Sequence, residues 1–268
     1  MNILIIGGGN MGLTYAQSFL RAHITTRDQL MILERSTERA EELKTKHKDI
    51  CKTFIHPEDC VSKADLIVLA VKPQDTASLF EKLKVFTNKS QVFLSIMAGV
   101  KIDAICKALN ISKVIRAMPN LPAQVGQGMT VFTSTDDVTR LELVTVQNLL
   151  NTTGKTIYIE KESLIDAGTA ISGSGPAYVY FFMDALMQAA RQMGFSAAES
   201  ELLVGQTFIG ALDLYQKYDD SCADWIQRVA SKGGTTEAAL KSFRKNELHQ
   251  DIIDGANAAL HRAVELGK

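Results

Sequence analysis

Six residues near the start of the chain constrain its fold more than any others. Gly7-Gly8-Gly9-Asn10-Met11-Gly12 lies directly behind an apolar run at 3–6 and opens a helically periodic stretch at 11–22. This is G-x-G-x-x-G between a strand and a helix. The first glycine permits a tight turn, the second lets the backbone approach a pyrophosphate, and the third lets helix and strand pack closely. The first amides of the helix then face the phosphates. Ile6, Gly7, Gly9, Asn10, Met11 and Gly12 are therefore expected at a dinucleotide. The alternative is a glycine-rich turn that binds nothing.

The rest of the first 160 residues favours the dinucleotide. Further apolar runs stand at 30–33, 66–71, 92–96, 114–117, 129–132 and 156–159, with periodic stretches at 11–22, 36–47, 74–85 and 137–150 between them. Several runs are apolar throughout rather than alternating, as strands buried on both faces of a parallel sheet are. The pattern predicts βαβ units in a doubly wound α/β sheet. From Ser163 onward no strand is predicted. Helical windows cover 175–193, 197–216, 235–243 and 251–266, and Ser196 with Glu199 spells a capping box. The expected organisation is a dinucleotide-binding domain at 1–160 and an all-helical domain at 161–268. The lysine-rich stretch 44–48 is read as the solvated end of a helix. Residues 179–182 and 202–214 are apolar around most of the helix circumference. Such helices need cover, and so small a domain has little interior, so a homodimer or higher homo-oligomer is expected.

Charge and cysteine usage exclude other classes. Lys and Arg number 29 against 30 Asp and Glu, which offers a polyanion such as nucleic acid no basic face. No apolar run approaches the ~20 residues of a spanning helix. No basic region precedes the first strand, so neither a signal nor a transit peptide is expected. Cys51, Cys60, Cys106 and Cys222 form no C-x-x-C pair, and the five histidines match no ligand spacing. Free thiols in a reducing cytoplasm, and no metal, are the reading.

The residues behind the second apolar run carry conflicting signals. Glu34 is placed to accept hydrogen bonds from the adenosine ribose hydroxyls. Arg35 and Ser36 follow at once, and they are residue types that hold a 2′-phosphate. These signals leave the coenzyme as NADPH or NADH. Ala70-Val71-Lys72-Pro73 closes the strand that begins at 66, where strand ends line the ligand crevice of such sheets.

Hydride transfer to a carbon–nitrogen double bond needs few side chains. The cofactor brings the hydride, and the protein holds the imine and excludes water. A site for this chemistry is rich in Gly, Ser and Thr. Ser172-Gly-Ser174-Gly175-Pro-Ala-Tyr178 and Ser231-Lys-Gly-Gly234-Thr235-Thr236-Glu237 both precede helices. Each is expected to offer flexible backbone and hydroxyls at a helix N-terminus, a ready anion site. Plain N-capping is the competing account of each.

Residues 7–12, 70–73, 95–100 (SIMAGV), 116–120 (RAMPN), 172–178 (SGSGPAY) and 231–236 (SKGGTT) together resemble the pyrroline-5-carboxylate reductases, in order and spacing, over essentially the whole chain. The resemblance implies a nucleotide domain, a helical dimerisation domain, and reduction of 1-pyrroline-5-carboxylate to proline at a site between domains. It places Ile6 to Met11, Glu34, Ala70, Val71, Lys72, Pro73, Ile96, Met97 and Ala98 at the cofactor, with His56 near the adenosine. Asn120 falls among the cofactor residues in the RAMPN segment. Gly234, Thr235 and Thr236 fall in the substrate loop, with the Thr236 hydroxyl at the ring nitrogen. Ser172, Ser174 and Gly175 match the other substrate segment, and Asp219 an acidic substrate position. The family often has proline where Lys232 stands, which bears on how rigid this loop is. A β-hydroxyacid dehydrogenase shares the layout but needs a proton-donating lysine, and 175–193 contains none. A non-catalytic dinucleotide sensor would need the fingerprint but not the Gly-Thr loop.

Overall fold

A computed structural model describes residues 1–47 and 49–267. Lys48, the last of the lysine-rich stretch, and Lys268 lie outside the described residues. The strands are β1 (Ile3–Ile6), β2 (Leu30–Leu33), β3 (Lys52–Phe54), β4 (Leu66–Leu69), β5 (Val92–Ser95), β6 (Val114–Met118), β7 (Gly128–Ser134) and β8 (Gly154–Tyr158). They form one sheet in the order β3-β2-β1-β4-β5-β6-β7-β8. In β1, Ile3 and Ile5 enter one core cluster and Leu4 and Ile6 the other. Helices cover both faces, so the strand has no polar side, which is why its run reads as continuous. Each such buried side chain contributes about 1.5–3 kcal/mol relative to exposure.

Every pairing from β3 through β6 is parallel. β6 and β7 then pair antiparallel, and β8 runs parallel to β7. The parallel order thus gives way at the end of the sheet. A parallel return needs a crossover of a dozen or more residues. The stretch 119–127 holds only one 3-10 turn and is too short for that.

The helices of the first part are α1 (Asn10–Arg21), α2 (Thr37–Lys46), α3 (Thr76–Leu83), α4 (Ile102–Leu109), α5 (Arg140–Asn151) and α6 (Ser163–Gly168). A π-helical turn, Thr169–Gly173, continues α6. Then come α7 (Gly175–Gln192), α8 (Ala197–Lys217), α9 (Cys222–Val229), α10 (Thr235–Lys245) and α11 (Leu248–Leu266). By contacts the chain divides into two compact units, 1–174 with 259–268, and 175–258. That division falls later than 160/161. Helical structure does begin at Ser163, but α6 is pinned to the sheet. The Arg116 guanidinium on β6 pairs with Asp166 at 3.0 Å and with Glu162 at 2.8 Å. A Cβ on Gly168 would come 2.8 Å from Val131.

In the second unit α8 starts on the expected capping box, Ser196 with Glu199. α7 has no buried residue, and Phe181 and Leu202 are 80% and 71% exposed. A helix with Phe181, Val179 and Tyr180 open to solvent in the single chain has a face that its own unit does not cover.

Candidate active site

The glycine loop behaves as its spacing predicts. Gly7 has φ +102, and a Cβ there would sit 2.7 Å from the Ala70 carbonyl oxygen. A Cβ on Gly12 would overlap the Gly7 carbonyl oxygen. Gly9, which precedes α1, has nothing within 4 Å of its Cβ direction. The outer glycines are therefore required by packing within the chain, whereas Gly9 leaves open space. That is the cradle a pyrophosphate fits. No side chain caps α1, so its first N–H groups remain available to an anion.

A groove of about 350 Å³ opens beside this loop. Ile6, Gly7 and Gly9 line it with Glu34, Arg35, Ala70, Val71 and Lys72. These come from the C-terminal ends of β1, β2 and β4, which register side by side. Leu33, Ile55, Pro57, Asp75, Ser78, Leu79 and Lys82 complete the wall. Sequence reasoning missed these seven as site residues. Asp75, Ser78, Leu79 and Lys82 share one helical face spaced by three or four, a signal present once Pro73 is taken as the start of a turn. His56 is exposed between the two lining residues Ile55 and Pro57. Asn10 and Met11 stand in the first turn of α1, and Pro73 opens a 3-10 turn.

The end of β2 resolves into distinct roles. The strand stops at Leu33, and the Glu34 carboxylate accepts the backbone N–H of Gly8 and, at 3.2 Å, that of Arg35. Arg35 reaches across to Asp75 at 2.6 Å. The Ser36 hydroxyl caps α2 by accepting the Arg39 N–H at 3.1 Å. Arg39 itself donates to the Gly8 carbonyl at 2.9 Å and pairs with Glu42.

Farther along the same sheet edge, Ile96, Met97 and Ala98 follow β5. Met97 is buried in the core, so any ligand contact there falls to backbone. Asn120 follows β6, and its amide is engaged twice. Its Oδ1 accepts the Met129 N–H and its Nδ2 donates to the Ser172 carbonyl, both at 2.9 Å. A side chain expected at the cofactor thus ties the sheet edge to the SGSG segment.

That segment is not the flexible N-terminal loop expected from its glycines. Residues 169–173 form a π-helical turn between α6 and α7, and Ser174 keeps right-handed helical backbone. The Ser172 hydroxyl donates to the Gly168 carbonyl at 2.9 Å, and the Ser174 N–H to that of Thr169 at 2.8 Å. The extra residue of a π turn frees carbonyls from the ladder, and Asn120 meets one of them. Gly175 starts α7 behind this turn.

The Gly-Thr turn does stand at a helix start, as its spacing predicts. Gly234 precedes α10, no side chain caps that helix, and Thr235 and Thr236 form its first turn. N-capping is therefore not what these hydroxyls do. Gly233 has φ +76 and donates its N–H to the Glu237 carboxylate at 2.6 Å. That bond, then Lys241, holds the Glu237 carboxyl below its usual range. The Gly234 N–H closes onto the Ser231 carbonyl at 3.0 Å. Lys232 costs this turn a proline but not its closure. Asp219 is exposed between α8 and α9, while neighbouring Asp220 pairs with Arg228 at 2.7 Å.

Sheet, glycine loop and groove define a Rossmann-type dinucleotide-binding oxidoreductase. A family model described as pyrroline-5-carboxylate reductase dimerisation matches residues 162–266, and one described as NADP oxidoreductase, coenzyme F420-dependent, matches 2–99. Pyrroline-5-carboxylate reductase 2 of Bacillus subtilis is 31% identical over 97% of this chain and 93% of its own. The solved structure of a pyrroline-5-carboxylate reductase from Coxiella burnetii superposes with a TM-score of 0.90 at 32% identity, covering 100% of this chain and 98% of that one. The Plasmodium falciparum pyrroline carboxylate reductase, solved with NADP bound, gives 0.89 at 28% identity, with coverage of 100% and 98%. The chain belongs to the pyrroline-5-carboxylate reductase family.

Proposed function

We propose that this chain reduces 1-pyrroline-5-carboxylate to L-proline, the closing step of proline biosynthesis, with NADPH or NADH as hydride donor. The observation that carries the reading is the uncapped Gly-Thr start of α10 in a chain that also has the complete glycine loop. When bound, the reduced nicotinamide supplies the hydride for the imine carbon. The chain's own residues bind and orient. Gly7, Gly9 and the first turn of α1 take the pyrophosphate, and Glu34 takes the adenosine ribose. The free amides behind Gly234 suit the substrate carboxylate. The Thr236 hydroxyl bonds the ring nitrogen, and Thr235 supports the same turn. An already protonated imine needs no stronger acid, which accords with the absence of lysine from α7. Because the Glu34 carboxylate is present, NADH is expected to serve at least comparably to NADPH.

The subunit is proposed to work as a homodimer, or an oligomer of dimers, in the cytoplasm. The uncovered apolar residues of α7 and α8 support the first part, and four free cysteines accord with the second. Among the described residues no helix is long and apolar enough to cross a membrane. The test is to add racemic 1-pyrroline-5-carboxylate to the purified protein with reduced coenzyme. Loss of nicotinamide absorbance with stoichiometric proline supports the proposal. Turnover of a β-keto acid but not of the imine, or nucleotide binding without turnover of either, rejects it.

A further inference from the structure

We propose that Glu162 is a positioning residue for hydride transfer. One of its carboxylate oxygens ties the loop after β5 to the helix that leads to Ser172, and so fixes two parts of the site against each other. The proposal rests on the reduction reading given above. The glycine loop follows β1 and the adenosine side lies at β2. The reactive end of a dinucleotide then extends the other way along the sheet, over the ends of β4, β5 and β6. Ile96 to Ala98 follow β5 there, and the tie between Asn120 and Ser172 follows β6. These pieces come from distant parts of the chain, and a misplacement of about 1 Å can cost about a hundredfold in rate.

Glu162 immediately precedes α6. Its Oε1 accepts the backbone N–H of Ile102 at 2.9 Å and the Arg116 Nη1 at 2.8 Å. Ile102 is the first residue of α4, so the bond pins the point where the loop after β5 ends. The Arg116 Nη2 donates to Asp166 at 3.0 Å, one turn further along α6. One guanidinium thus holds α6 at two points, which leaves the helix little freedom to rotate or slide. The π turn continues α6 without a break, so that setting carries through to Ser172. Arg116 is itself fixed, because Ser95 on β5 and Thr133 on β7 flank it in register. It is 1% exposed, and its Nε has no hydrogen-bond partner among the described residues. The Glu162 side chain, by contrast, is 31% exposed. If it is removed, Asp166 still pairs with the buried guanidinium, which therefore keeps a counter-charge. Loss of Glu162 should spare the fold and loosen the site.

Stopped-flow single turnovers of 1-pyrroline-5-carboxylate by the full-length protein read hydride transfer directly, and fluorescence titration with NADPH reads coenzyme binding. Glu162→Ala should slow the single turnover by about tenfold or more. Its NADPH affinity should stay within about threefold of the parent's, and its melting temperature close to it. Glu162→Gln keeps an acceptor at Oε1 and should restore most of the rate. Ile102→Pro deletes the N–H at a first helical position, which suits proline, and should be as slow as Glu162→Ala. Ile102→Ala trims more of the side chain but keeps the N–H, and should stay near the parent. A parental rate in Glu162→Ala overturns the proposal, as does a loss of coenzyme affinity as large as the loss of rate. So does a Glu162→Gln protein as slow as Glu162→Ala, or an Ile102→Ala protein as slow as Ile102→Pro. A Glu162→Ala protein that fails to fold would make the residue a support of the fold and overturn it too. A parent that binds NADPH yet leaves the imine unreduced would reject the reduction reading itself.

Discussion

At the scale of single residues, the three fingerprint glycines carry separable duties and should fail differently. Gly12→Ala places a methyl into the Gly7 carbonyl and should lower thermal stability by several degrees, with weak soluble yield. Gly9→Ala has free space around it, so the variant should melt with the parent and lose coenzyme affinity alone. Melting curves with and without NADPH read both effects; a Gly9→Ala protein with parental affinity would show that no phosphate approaches there. Thr236→Val removes one hydroxyl with little change of shape. One such bond is worth roughly 1.5–3 kcal/mol, or about ten- to a hundredfold in kcat/KM. Full activity in a folded valine variant rules out its bond to the ring nitrogen. Glu34→Ser should move the coenzyme ratio towards NADPH by about tenfold, ~1.4 kcal/mol. An unchanged ratio would place the carboxylate's role in the loop, on the Gly8 N–H, rather than at the ribose.

Elements were legible in the sequence where a local pattern sets them. β1, β2 and β4 begin where their apolar runs begin, and the capping box at Ser196 starts α8 as expected. β3 was not legible, because three residues on the sheet edge bury too little to show a pattern. α4 spans only Ile102–Leu109 and gives two turns of periodicity. The SGSG segment misled for a different reason. Glycine and serine are the vocabulary of loops, yet here Asn120, far away in sequence, holds the chain in a π turn. The groove's glycine side was legible because it is local; Asp75 to Lys82 reach it only through the fold. Asn120 gives a prediction at this scale. Asn120→Asp keeps the acceptor for Met129 but sets a carboxylate against the Ser172 carbonyl. It should reduce kcat/KM for the imine at least tenfold with coenzyme affinity preserved. Fluorescence titration with NADPH separates the cases, since loss of coenzyme affinity would return Asn120 to the cofactor set.

For the whole molecule, the uncovered apolar faces of α7 and α8 predict an obligate dimer. Leu203 on α8 is half exposed in the single chain, and Leu203→Glu should yield aggregated or unfolded protein. Sedimentation of the parent at micromolar concentration should show no folded monomer; an active, monodisperse monomer refutes this. The direction of the last two strands bears on where the chain travels next. β7 and β8 run against the other six, so the chain leaves the sheet heading away from the edge that carries the glycine loop. α6 must then turn back along β6. Its path passes three fixed points: Glu162 beside Arg116, then Gly168 beside Val131, then Ser172 beside Asn120. Had both strands kept the common direction, the same exit would have started at the glycine-loop edge and carried Ser172 and Ser174 off towards the opposite one. A reversal that looks like an irregularity of the sheet is thus a steering device. It delivers the serine-glycine segment to the edge where β1, β2 and β4 already present theirs.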